Sequence, residues 1–346
     1  MTTDPQLDAF DFHLPPDRIA QTPCPERDGA RLLVLDRRSG TFEDAYIRDL
    51  PRFLDAGDLV VVNASAVLPA RLRGRKETGG AAEALFLERC TPPGHWRALV
   101  RSSGRQRVGQ KFVLGNGEVS FDAEIVELGN RGEVTLALDA GADPYAVGEM
   151  PLPPYIRRPA PDARDQERYQ TTFARVPGSV AAPTAGLHFS KRLLADLQRH
   201  EIGHAEVILH VGPGTFRPLE SDQIAQGQLH PERYELPEST ATKIRDPRAR
   251  GHRVIAVGRR TARVLESCAD ESGVLEAGSG ETRLFLRPGS RFRAIDALLT
   301  NFHLPRSSLL MLVAAYAGTQ RLLNAYEHAV ADGYRFYSYG DAMLIR

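Results

Sequence analysis

Ala182-Pro-Thr-Ala-Gly-Leu-His-Phe-Ser190 runs into Lys191-Arg-Leu-Leu-Ala-Asp-Leu197 and, past Gly203, into Ala205-Glu-Val-Ile-Leu-His-Val211. Pro183 cannot sit inside a helix or central strand, so the first segment is a loop. Ser190 is a natural N-cap, the leucines after it recur at helical spacing, and Gly203 is a stop. The apolar run 205–211 reads as a buried strand. Loop, helix and strand in this order belong to an α/β unit, and the pattern recurs downstream. Arg253-Val-Ile-Ala-Val257 and Gly258 lead into a helix through about Ala269. Ile295–Phe302 and a loop at His303–Arg306 lead into a helix from about Ser307, broken near Gly318 and resuming to Ala331. Tyr334–Ile345 reads as a last strand interrupted at Gly340-Asp341. Ala277-Gly-Ser-Gly280 reads as a surface turn, because no strand and helix flank it as a phosphate loop requires.

Upstream, Arg31–Tyr46 reads as a hairpin, Ile47–Asp55 as a short helix and Asp58–Asn63 as a buried strand. From Pro69 to about Gly148 the texture changes. Short β-type runs (Ala82–Glu88, Trp96–Arg101, Lys111–Leu114, Val119–Glu127, Glu133–Leu138) are punctuated by Gly and Pro, without a helical period. The expected architecture is an α/β main domain, a mixed sheet with flanking helices, built from residues 1–66 plus 150–346. A small all-β barrel at 67–149 is inserted into it.

At 346 residues, 42% hydrophobic and 25% charged, the composition suits two globular cores. The acidic stretch Met1–Phe12 lacks the apolar centre of a secretory signal. The apolar run Leu309–Ala317 is too short to span a bilayer. Cys24, Cys90 and Cys268 are scattered and form no C-x-x-C pair, which argues against a disulfide framework and a cysteine metal site. The expectation is a reduced cytoplasmic protein acting as a monomer, with no membrane partner.

Formal net charge is zero, but its distribution is uneven. Residues 71–111 carry ten Lys/Arg against three acids, and residues 245–263 seven Arg against one. Such segments face nucleic-acid phosphates or are solvated faces balanced by acids nearby in space. Arg71, Arg73 and Arg75 recur at period two, so a strand presents them on one face, with Lys76 at its end. Arg259-Arg260 opens a helix, where positive charge opposes the dipole at a small cost that an anionic ligand would relieve. The simpler expectation for that pair is a solvent-facing position.

His188 lies in the opening loop, His210 directly before Val211-Gly212-Pro-Gly-Thr215, His230 in Gln228–Tyr234 and His303 in Thr300-Asn-Phe-His-Leu-Pro305. His188, His210 and His303 fall at element ends beside Gly, Pro or Asn, where α/β sheets place ligands. Together they are expected at one sheet edge. Gly186 lets the backbone approach a ligand, and the helix start after Ser190 suits an anion. No histidine pair has the i, i+4 spacing of a helical metal site, so no metal is expected. No G-x-S-x-G elbow or Walker A loop supports a hydrolase or NTPase.

These strings resemble the S-adenosylmethionine:tRNA ribosyltransferase-isomerase family. The likeness runs in order through Phe10-Asp-Phe-His-Leu-Pro15, Ile19-Ala-Gln21, Arg31–Asp36, Pro69–Lys76, Met150-Pro-Leu-Pro-Pro-Tyr-Ile156 and Tyr169-Gln-Thr171. It continues through Val180–Phe189, Leu209-His-Val-Gly-Pro-Gly-Thr-Phe216, Val254–Gly258, Thr300–Pro305, Leu309–Val313 and Phe336-Tyr-Ser-Tyr-Gly-Asp-Ala-Met343. Two places depart from it. Arg259-Arg260 stands where the family usually carries Thr-Thr, and Ala64-Ser65-Ala66 where it usually carries Asn-Thr-Arg.

The resemblance implies a transferase of queuosine biosynthesis. S-adenosylmethionine, as co-substrate, gives its ribosyl carbons to an aminomethyl-deazaguanine at the tRNA wobble position, yielding epoxyqueuosine-tRNA, adenine and methionine. It further implies proton transfer by His188 and His210, with His303 orienting or protonating adenine. Asp341 would hold an amine, and Thr184, Gly186 and the following helix start the methionine carboxylate. Gly212, Gly214, Thr215 and Asn301 would complete the donor site. Arg71, Arg73, Arg75 and Lys76 would meet anticodon-stem phosphates. The departures keep open ribosyl transfer to a free deazapurine or other small metabolite; a non-catalytic tRNA-binding protein is the further alternative.

Overall fold

The computed structural model describes residues 5–158, 162, 164–212, 214 and 221–346. Its strands are β1 (Arg31–Leu35), β2 (Phe42–Tyr46), β3 (Leu59–Asn63) and β4 (Ser65–Val67). A second group follows, β5 (Arg71–Lys76), β6 (Ala81–Cys90), β7 (His95–Ser102), β8 (Lys111–Gly115), β9 (Ser120–Leu128) and β10 (Glu133–Ala137). The rest are β11 (Val176–Ser179), β12 (Gly203–Leu209), β13 (Gln228–Leu236), β14 (Val254–Val257), β15 (Gly278–Leu284), β16 (Ala297–Asn301) and β17 (Ala342–Ile345).

The main sheet is mixed, in the order β15-β13-β12-β3-β14-β16-β17-β1-β2. Its centre, β12, β3, β14 and β16, is parallel throughout. Successive side chains of a strand point to opposite faces, and here both faces are covered. Leu59, Val61, Val254 and Ala256 join one core, under the helices Glu238–Ala249, Arg259–Cys268, Ser308–Ala317 and Thr319–Ala331. Val60, Val62, Ile255 and Val257 join the other, under Ile47–Phe53 and the helix Lys191–Arg199. This explains why these strands read as unbroken apolar runs.

The second group closes a barrel, β10-β7-β6-β5-β8-β9, antiparallel throughout. Leu72, Phe86, Trp96, Phe112, Leu114, Ile125 and Leu136 fill it. On β5, a Cβ at Gly74 would lie 1.9 Å from the Val113 carbonyl oxygen, so only glycine fits that crossing. The chain enters and leaves the barrel side by side, with Arg71 and Glu149 exchanging backbone hydrogen bonds of 3.1 and 2.8 Å.

Two expected elements differ. Gly278–Leu284 is a strand paired with β13, so Gly278 and Gly280 are ladder residues, not a surface turn. Only Ala342–Ile345 of the expected last strand is extended. Before it, Tyr337 adopts φ +76° and donates its backbone N–H to the Phe302 carbonyl, which takes the segment out of a ladder. Among the described residues no helix is long and apolar enough to cross a membrane.

Candidate active site

A cavity of about 650 Å³ opens beyond the carboxyl ends of the parallel strands. Open α/β sheets hold ligands there, because loops leaving parallel strands diverge. Its wall is supplied by Thr184 from the opening loop, Gly212 and Gly214 after β12, and Glu232 on β13. The helix after β14 brings Arg259, Arg260 and Arg263, and the end of β16 brings Asn301 and His303. Arg97 and Glu133 of the barrel also border it, so both bodies shape one space. Tyr155 and Tyr337 line it as an edge-to-face pair, ring centroids 3.9 Å apart.

The expected residues separate here. Thr184, Gly212, Gly214, Asn301 and His303 share this cavity. Thr215 lies outside the described residues. His303 is 6% exposed, with Nε2 3.0 Å from Thr300 Oγ1. Burial, then the Arg259 and Arg260 guanidiniums, push its pKa down to about 3. An imidazole held neutral in this way orients a ligand by hydrogen bonding.

His188 does not line the cavity but stands behind it. Its Nε2 lies 3.1 Å from Asn301 Nδ2, which also donates 3.3 Å to the Tyr337 carbonyl. Burial, with the nearby Arg335 charge, lowers the His188 pKa to about 4. Asn301 Oδ1 is buried with no hydrogen-bond partner among the described residues, on a side chain that lines the cavity. His188 thus reaches the cavity wall through Asn301.

Both imidazoles are neutral when folded and gain a proton near pH 6.5 when unfolded. Stability is thus fully present above about pH 6.5 and is lost as pH falls below it, because the unfolded chain then binds more protons. Denaturant titrations are expected to show a loss of roughly 4 kcal/mol between pH 7.5 and 5 from the pair. His188→Asn and His303→Asn should each remove about half of that slope. An unchanged slope in both variants would contradict the buried neutral state.

Other expected residues stand outside this cavity's lining. Asp341 is 2% exposed and accepts from the backbone N–H groups of Arg31 (2.9 Å) and Arg335 (2.7 Å). It ties the last strand's approach to β1 and has no place in the cavity wall. His210 turns aside against Gly178, where a Cβ would lie 2.5 Å from its Nδ1. Gly186 packs on Phe173 and Thr171, 2.7 and 2.9 Å from a would-be Cβ, so its smallness serves packing. Beside the helix start after Ser190 stands a carboxylate of the chain itself. Buried Asp28 accepts from Ser190 Oγ at 2.5 Å and pairs with Arg192 at 2.9 Å, while Ser190 caps Leu193 N–H.

The basic strand divides too. Arg71 is largely buried and holds the Leu152 carbonyl at 2.5 Å; Lys76 folds onto the Ser103 carbonyl. Arg73 is exposed and pairs with Glu149 at 3.2 Å, and exposed Arg75 has no ion pair among the described residues. Arg259-Arg260 does not face solvent. Arg260 Nε lies 3.3 Å from Glu232 Oε1, and Arg263 pairs with Glu232 Oε2. Burial alone would raise the Glu232 carboxyl; the Arg263, Arg260 and Arg259 charges outweigh it and hold it below its ordinary value. Elsewhere, Asp44, His328 and Asp332 place ligand atoms within 4.8 Å of one another, but Arg31 already pairs with both carboxylates.

A polar, aromatic and cationic cavity at a sheet edge, bordered by a barrel, is the kind of place in which enzymes hold small charged substrates. The family model described as queuosine biosynthesis protein matches residues 7–345, and the chain belongs to that family. A protein of Pelobacter propionicus named S-adenosylmethionine:tRNA ribosyltransferase-isomerase is 48% identical over 97% of this chain and 98% of its own. One of the same name from Acidithiobacillus ferrooxidans is 50% identical over 97% and 96%. A crystal structure of the S-adenosylmethionine tRNA ribosyltransferase of Thermotoga maritima is similar with TM-score 0.56 and 36% identity, covering 98% of this chain and all of that one.

Proposed function

We propose that this enzyme transfers and isomerises the ribosyl group of S-adenosylmethionine onto an aminomethyl-deazaguanine at the tRNA wobble position, releasing adenine and methionine. The observation that carries the reading is the cavity beyond β12, β14 and β16, with family membership across nearly the whole chain. Its volume of about 650 Å³ falls within the range of roughly 300–1,000 Å³ for ligands of this size. Tyr155 and Tyr337 offer ring faces and edges to a purine, and His303 and Asn301 offer polar groups to its edge. Neutral His303, held at Nε2 by Thr300, suits orienting the adenine by hydrogen bonding. The division at 66/67 and 149/150 is part of the proposal, supported by the Arg71–Glu149 crossing.

Incubating the protein with S-adenosylmethionine and tRNA bearing the deazaguanine should release adenine and methionine and yield a heavier nucleoside. Turnover of free deazapurine without tRNA would favour the small-metabolite alternative. Binding of tRNA without adenine release would mark a non-catalytic protein.

For tRNA, the contact reduces to Arg73 and Arg75, the exposed members of the strand. Arg75→Ala should weaken tRNA binding and lower the slope of log affinity against log salt by about 1. An unchanged slope would remove Arg75 from the interface. Arg71→Ala should act on stability instead, through the lost hold on Leu152.

A further inference from the structure

The carboxylate of a methionine tail needs a cation or an open set of backbone N–H groups. The helix start after Ser190 already has the buried Asp28 carboxylate beside it, on Ser190 Oγ and the Arg192 guanidinium, which disfavours a second anion. The helix Arg259–Cys268 differs. Gly258 precedes it at φ +84° and provides no side-chain cap. Its first N–H groups have no intrahelical acceptors, and its dipole favours an anion. Arg259 lines the cavity at that end, and its guanidinium makes no ion pair or hydrogen bond among the described residues. Glu232 pairs directly with Arg260 and Arg263, and with Arg259 it interacts only at longer range. Three guanidiniums thus stand against one carboxylate, with one left over.

We propose that Arg259 binds the α-carboxylate of the S-adenosylmethionine donor. The proposal rests on the reading of this cavity as the donor site. Burial, then the adjacent Arg260, pull the Arg259 guanidinium down to about 9, a strain that a bound carboxylate reverses. A small-molecule carboxylate fits better than a backbone phosphate, because Arg259 lines the cavity together with His303, Tyr337 and Arg260.

The test is equilibrium binding of S-adenosylmethionine and of its decarboxylated analogue to wild type, Arg259→Gln and Arg259→Lys. Steady-state KM for donor and tRNA is measured alongside. Arg259→Gln should weaken S-adenosylmethionine by about 10–100-fold and leave the decarboxylated analogue within about 3-fold. Arg259→Lys should recover part of the loss. Equal weakening of both donors, no weakening, or a rise confined to the KM for tRNA would overturn the assignment. Should Gln unfold the chain, which the denaturation midpoint shows, the Lys variant decides with the same pair of ligands. Intact donor binding without turnover in wild type would count against the functional reading and leave this inference standing.

Discussion

Glu232→Ala is expected to cost about 3–5 kcal/mol of stability, because it removes the carboxylate that two buried guanidiniums share. Arg260 and Arg263 are 8% and 5% exposed, and each pairs with one Glu232 oxygen. Arg263 also donates to the Leu284 carbonyl at 3.0 Å, so the network joins the helix after β14 to β15. Removing the carboxylate leaves repelling cations in a wall that already has Arg259 beside them. Glu232→Gln keeps the shape and should recover only a minor part. Denaturant unfolding measures both variants; a loss below 1 kcal/mol for Glu232→Ala would mean that water or movement relieves the cations.

Asn301→Ala is expected to lower kcat by about 10²–10³-fold, the range for removal of one preorganised polar group. Asn301 is 2% exposed, bridges His188 Nε2 and the Tyr337 carbonyl, and borders the cavity beside His303. Losing it frees the segment at Tyr337, a bulky residue held at φ +76°, and uncouples His188 from the site. His188→Ala should lower kcat by a smaller factor, and the double variant should be little worse than Asn301→Ala. Single-turnover rates of adenine release measure this. Losses that multiply would show His188 acting on substrate directly.

The α/β units and the barrel were legible because short-range signals agree with the fold. Ser190 caps a helix, Gly258 and Gly318 carry positive φ at helix starts, and barrel strands alternate between core and solvent. Thr184, Asn301 and His303 were legible because loops at strand ends fill such cavities. What was missed depends on partners far along the chain. Asp28 reaches Ser190 from 162 positions away, and Asp341 reaches Arg31 across 310. A run of arginines reads as a solvated face unless Glu232, 28 positions upstream of Arg260, is known to face it. The i, i+3 spacing of Arg260 and Arg263 beside buried Val264 and Leu265 was the available signal. Arg97, Glu133 and the Tyr155–Tyr337 pair left none, since only the meeting of barrel and sheet defines them.

The most direct test is a crystal structure of the protein with S-adenosylmethionine bound. The donor is expected in the cavity beyond β14 and β16, its adenine beside His303 and its carboxylate at Arg259. Donor density outside that cavity, whether at the helix start after Ser190 or on the Arg73–Arg75 face, would contradict it.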